Sequence, residues 1–192
     1  SARSASHCAN PADGSASVAV GAGVALTLSN ATATADVQAG ASITAPSTTI
    51  AAHDAGGAST VSATAHSGAA GGVALAGAVA IALINRGYAA RLGGTVTITN
   101  AGSLNLTATS ALHSTAEAAP VGAGASADTV GIGASFAMTI LDEDTDAVVS
   151  GVINGTGSAA VSAHATTDVT TTARMGAHSP SVAIAPAVAV TL

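Results

Sequence analysis

The stretch VAVGAGVALTLSN from Val18 to Asn30 returns as VALAGAVAIALIN from Val73 to Asn85 and as VGIGASFAMTILD from Val130 to Asp142. A fourth copy, VAIAPAVAVTL, runs from Val182 to Leu192. The leading valines are 55, 57 and 52 residues apart. A near-fixed period of this length marks a repeat architecture, in which each unit stacks on its neighbours and shares one continuous core. Residues 1–192 therefore read as one continuous segment, with full repeats at 18–72, 73–129 and 130–181. Residues 1–17 read as the tail of a preceding repeat, because their proline-containing end echoes Ala173–Ser181, and 182–192 as the start of a further one. The segment reads as a piece of something longer.

Within each copy the residues alternate in size. Val18, Val20, Val24, Leu26 and Leu28 share one parity, and Ala19, Gly21, Gly23, Ala25 and Thr27 the other. Successive side chains of a strand point to opposite faces, so this is a strand with a bulky face and a small face. Alanine favours helix, but the period of two, the β-branched residues and the interior glycines outweigh that preference. The bulky face is expected to line the interior. The small face is expected to make a second close contact, with another sheet or another molecule.

Polar residues Asn30, Asn85 and Asp142 read as corners after the long strands. Segments ending at Gly40, Gly94 and Gly151 read as tight turns. Short strands follow at Ser42–Ala45, Thr95–Thr99 and Val152–Asn154, then at Thr49–His53, Asn105–Thr109 and Ala160–His164. In the latter set Ile50, Leu106 and Val161 are the expected inward positions. Ser/Thr/Ala strands at Thr60–His66, Ser114–Ala118 and Val169–Arg174 complete each unit. The fold class expected is all-β, a parallel β-solenoid (β-helix) built from repeats of about 55 residues. With roughly 20–28 residues per turn, each repeat would make about two turns. The alternative is a stack of antiparallel hairpins or a sandwich, disfavoured because no two-residue hairpin turn is evident.

Composition narrows the function. Charged residues are 7% of the chain, against roughly 25% in ordinary soluble domains. There is no lysine, and the net charge of −6 leaves no basic stripe, so nucleic acid is not an expected partner. The single cysteine, Cys8, has no intrachain disulfide partner. The longest uncharged apolar run, Gly71 to Ile84, is too short for a membrane helix and alternates like a strand. Positive mean hydropathy (+0.56) argues against disorder.

The unit as a whole is a V-A-V-x-x-x-V-A-L-x-x-x-N strand, a T-x-A-x-V-x-x-G segment, an ASITA-like strand, an I-A-A or V-S-A strand and a Gly-rich corner. It resembles the repeat region of very large bacterial secreted exoproteins, the filamentous-haemagglutinin-like and leukotoxin-type filamentous adhesins, over essentially the whole chain. The resemblance implies an extracellular or bacterial cell-surface location, export through an outer-membrane secretion pore, and a right-handed parallel solenoid. It supplies no active-site residue.

Candidate sites are few. Asp142, Asp144 and Asp146 imitate the start of a calcium loop, but Ala147 and Ile153 stand where that loop needs Gly and Glu. A solvated turn is the preferred reading and calcium binding the weaker one. His53 and His164 occupy equivalent repeat positions, with Thr109 between them, yet no histidine pair has the short spacing of a metal motif. Ser–His–Asp chemistry has only the His53-Asp54 pair to offer and no G-x-S-x-G. No catalytic, cofactor-binding or metal-binding residue is assigned, no cofactor is expected, and the chain does not read as an enzyme. The expected role is a stiff repetitive spacer in a secreted or cell-surface fibre or adhesin. Its partners would be neighbouring repeats of the same long chain, with self-association into fibres through the Ala/Gly strand face. The alternative is a binding module that recognises a polysaccharide or crystalline surface through a flat Thr/Ala face.

Overall fold

Alternating β-branched and small residues give extended chain throughout. The computed structural model describes residues 2–10, 17–54 and 56–192, with backbone alone at 2–4, 6–10, 99–101, 155 and 156. The strands are β1 (Ala2–Asn10), β2 (Val18–Val37), β3 (Ser42–Thr44), β4 (Ser47–His53), β5 (Ser59–Gly93) and β6 (Val96–Ala101). They continue with β7 (Ser103–Ser150), β8 (Ile153–Thr156), β9 (Ala159–Ala173), β10 (Ala177–His178), β11 (Val182–Ile184) and β12 (Ala187–Thr191). No helix occurs among the described residues. A nine-stranded sheet curls into a half-barrel, and β3, β6 and β8 form a separate three-stranded sheet.

Every strand pairing among the described residues is parallel, unlike a stack of antiparallel hairpins. Register follows the sequence repeat: Val18 pairs with Val73, Val73 with Val130, and Val130 with Val182. The shorter segments obey the same spacing, with Ile43 beside Ile98 and Ile50 beside Leu106. One repeat therefore contributes one layer to each wall. The two layers per repeat that two turns would give are not found: strands pair with their equivalents one full repeat away, so each repeat adds a single layer. Asn30, Asn85 and Asp142 are not corners. The strand runs straight through them to Val37, Gly93 and Ser150. The true corners lie at Gly40, Gly94 and Gly151, whose φ angles of 83°, 70° and 129° suit glycine alone.

The two faces of the long strand are the reverse of expectation. Ala19, Ala25, Ala74, Ala80, Ala82 and Ala137 are buried, whereas Val20 is 60% and Leu28 71% exposed. The small face is covered by this same chain. It packs on the wall formed by residues 61–69 and their partners: Ser67 Oγ donates to the Gly21 carbonyl at 2.9 Å and Thr27 Oγ1 to the Ser62 carbonyl at 2.7 Å. A Cβ at Gly21 would overlap the Gly68 carbonyl, and one at Gly23 the His66 carbonyl. With the backbones of two walls of the curled sheet in near contact, instead of the roughly 10 Å usual between packed sheets, only Gly, Ala, Ser and Thr fit between them. The Ala/Gly face is thus an interior face and is not available for assembly with other molecules.

The interior widens along the long strand. Beyond Ile84 the inward residues grow to Tyr88 and Leu92, and Leu92 packs with Val96, Ile98, Leu104 and Leu106, all of these 2% exposed or less. Here Ile50 and Leu106 point inward as expected, and Val161, the register partner of Leu106, shares their face but is 48% exposed on a strand exposed on both faces. The cross-section is a wedge, with alanine and glycine at the thin end and Leu, Ile and Val at the thick end.

Candidate functional site

Where the wedge opens, the parity of the long strand places Arg86 and Tyr88 inside. Arg86 is only 2% exposed, and its Nη1 donates to the Ala111 carbonyl at 3.0 Å. Its Nη2 donates to Tyr88 Oη at 2.7 Å and to Asp54 Oδ2, while the Tyr88 hydroxyl donates to Asp54 Oδ1. Asp54 sits on the corner after β4 and also accepts from Ser59 Oγ at 3.0 Å and, more loosely, from the Ala111 amide at 3.4 Å. The guanidinium carbon lies 5.1 Å from the Tyr88 ring centroid, within cation–π range. Arg86 Nε is buried without a hydrogen-bond partner. In the next layer Glu143, register neighbour of Arg86, accepts from Ser110 and Thr167.

A polar pocket of about 450 Å³ opens beside this cluster, lined by Asn30, Thr32, His53, Asp54 and Tyr88. It exists because β2 carries Ala31 and Ala33 where β5 carries Arg86 and Tyr88. Two small side chains leave unfilled the space that two large ones occupy one layer on.

The electrostatics describe a brace. Burial pushes the Asp54 carboxyl upward, but hydrogen bonds from Tyr88, Arg86, Ser59 and the Ala111 amide outweigh it and hold the group below the usual carboxylate range. Burial also raises the Tyr88 phenol, and its hydrogen bond to Asp54 adds to the rise. For Arg86, burial pulls downward and the bonds to Tyr88 and Asp54 win, leaving it firmly protonated. An aspartate ionised this strongly, with both oxygens engaged, is a poor general base. The His53 side chain is on the exposed side of its strand while Asp54 turns inward, so the two do not form a relay.

The other sequence candidates are dispersed. His53, Thr109 and His164 do stack in register, on the outside. Asp142, Asp144 and Asp146 lie on the outer face of a continuous strand, neither in a calcium loop nor in the solvated turn expected, and Asp146 is 3.9 Å from Arg91. A strand sets alternate residues nearly 7 Å apart, so these carboxylates cannot wrap one ion as a loop does. His113 pairs with Asp168 at 2.9 Å on the surface. Among the described residues no group of three His, Cys, Asp or Glu side chains could hold a metal ion, and no helix is long and apolar enough to cross a membrane. A corner at Asn85 would separate Arg86 and Tyr88 from the alternation of the long strand and hide the cluster with Asp54. Continued through Asn85, the alternation itself puts Arg86 and Tyr88 inside.

The depressed Asp54 pKa makes an acid-stability prediction. Its contribution is fully present above the unfolded value of about 3.9 and fades as pH falls through the lower folded value. Thermal melts of the parent chain and Asp54→Asn should differ at pH 7, and the gap should begin to close only below about pH 4 and narrow steadily from there. A gap that stays constant down to pH 2 would show that Asp54 is not ionised in the fold.

Protein-family models, curated proteins and solved structures give no match to this chain.

Proposed function

We propose that the chain is a parallel β-solenoid segment serving as a stiff repetitive spacer in a secreted or cell-surface fibre, the role its resemblance to filamentous adhesins implies. The observation that supports this reading is the register: each wall residue pairs with its own equivalent one repeat away, from Val18 through Val73 and Val130 to Val182. Such a stack lengthens by about 4.8 Å per repeat without any change in cross-section, and its strength comes from continuous backbone ladders. The partners are then neighbouring repeats of the same long chain, with an outer-membrane pore as the export route. The buried polar cluster fits this role as a brace between walls, with Arg86 reaching from the long strand to the opposite corner.

A spacer has interchangeable layers, which a deletion tests. Removing residues 54–109 joins His53 to Ser110, takes out Asp54, Arg86 and Tyr88 together, and sets Val18 beside Val130. Circular dichroism should keep its β signal and the melt its single cooperative transition. An unfolded deletion chain would show that the layers are not interchangeable and would count against a spacer.

A further inference from the structure

The outer face of the long wall is the feature the spacer role leaves unused. β2, the 73–83 part of β5, the 130–140 part of β7, and β11 with β12 lie side by side in register. Over the first eleven positions of each, every outward residue is Val, Leu, Ile, Met, Phe, Ala, Gly or Pro. Exposure is high at the edges, 60% at Val20 and 50% at Val188, and still 37% at Leu75 within the sheet. Four strands about 4.8 Å apart and eleven residues long at about 3.3 Å each make an apolar rectangle of about 650 Å². Monomeric proteins rarely leave so large a continuous apolar patch in water.

We propose that this face packs against the same face of a second copy of the chain. Two such rectangles bury about 1,300 Å² together, within the roughly 1,200–2,000 Å² of a stable specific interface. The relief is self-complementary. Ala22, Gly77, Ala134 and Pro186 line up across the strands as a trough, with hollows of about 310 Å³, and the row containing Val79 and Phe136 stands beside it as a ridge. In a two-fold pair the ridge of each copy enters the trough of the other, the reciprocal contact that an isologous interface requires. Charge sets the orientation. The outward face beyond position 28 turns polar, with Asp36, Asp142, Asp144 and Asp146 against a lone Arg91. Parallel copies would stack acid on acid, whereas antiparallel copies carry each acidic strip past the end of the partner's apolar face.

Sedimentation or light scattering of the 192-residue chain tests this directly. The expected result is a mass twice the 17.7 kDa of one chain. Gly77→Leu fills the trough, and a Cβ there meets only the Ala134 carbonyl oxygen at an ordinary contact of 4.0 Å, so this variant should keep the parent β signal and fall to monomer. Val79→Asp, on the ridge, should do the same. A monomeric parent at 100 µM overturns the proposal, as does a dimer that both variants leave intact. A parent that stays monomeric but floats with phosphatidylcholine vesicles would assign the face to lipid instead and overturn it equally.

Discussion

Gly23→Val should destroy the fold, with no cooperative melt remaining at 25 °C. The added side chain would drive into the His66 carbonyl of the facing wall, and that wall cannot yield locally because His66 is paired in register with His7 on one side and Ala119 on the other. Ordinary overpacking costs about 1–3 kcal/mol because side chains rearrange. Here the obstacle is backbone in a ladder, so the cost should exceed about 3 kcal/mol. Val148→Ala, which trims a large apolar residue on the outside, should change stability by only about 0.5 kcal/mol. Urea denaturation of the two variants makes the comparison. A chain that tolerates valine at 23 and suffers from alanine at 148 would have its core on the other face.

Asp54→Ala should be the costliest change that creates no clash, at about 3–5 kcal/mol, since it strands a buried guanidinium without its counter-charge. Arg86 already has one nitrogen without a partner, so losing its carboxylate leaves it still less compensated. Replacing the whole group, with Asp54→Ala, Arg86→Met and Tyr88→Phe together, should recover most of that loss, because buried ion pairs are often matched by apolar residues of similar volume. The three changes should therefore be strongly non-additive. Chemical denaturation at pH 7 reads both. If Asp54→Ala costs less than about 1 kcal/mol, the cluster is solvated and the brace is not there.

Much of the architecture was legible from residues alone. The repeat fixed which segments pair, because identical residues stacked at one spacing satisfy the same contacts in every layer. The glycines at 40, 94 and 151 marked real corners, since each holds a φ that other residues resist. The short strands around Ile43, Ile98, Ile153 and Ile50 lie where alternation placed them, to within a few residues, whereas the one around Leu106 is the beginning of the long β7. The candidate site was another matter: Arg86 and Tyr88 share a strand face, but Asp54 is 32 and 34 residues from them and nothing local links it to them.

Alternation showed that the strand from Val18 to Asn30 has two unlike faces; it held no information on which of them is inside. That depends on how near the opposite wall comes, and at Gly21 and Gly23 it comes so near that the two backbones touch. At the thin end of the wedge the small face is the core because nothing larger fits, and the bulky residues are turned out to meet something else. Only a few residues further along, where the walls diverge, the same strand buries Tyr88 and Leu92 and shows polar groups to water. Sequence settled the pairing and the two faces; the separation of the walls decided which face became the interior.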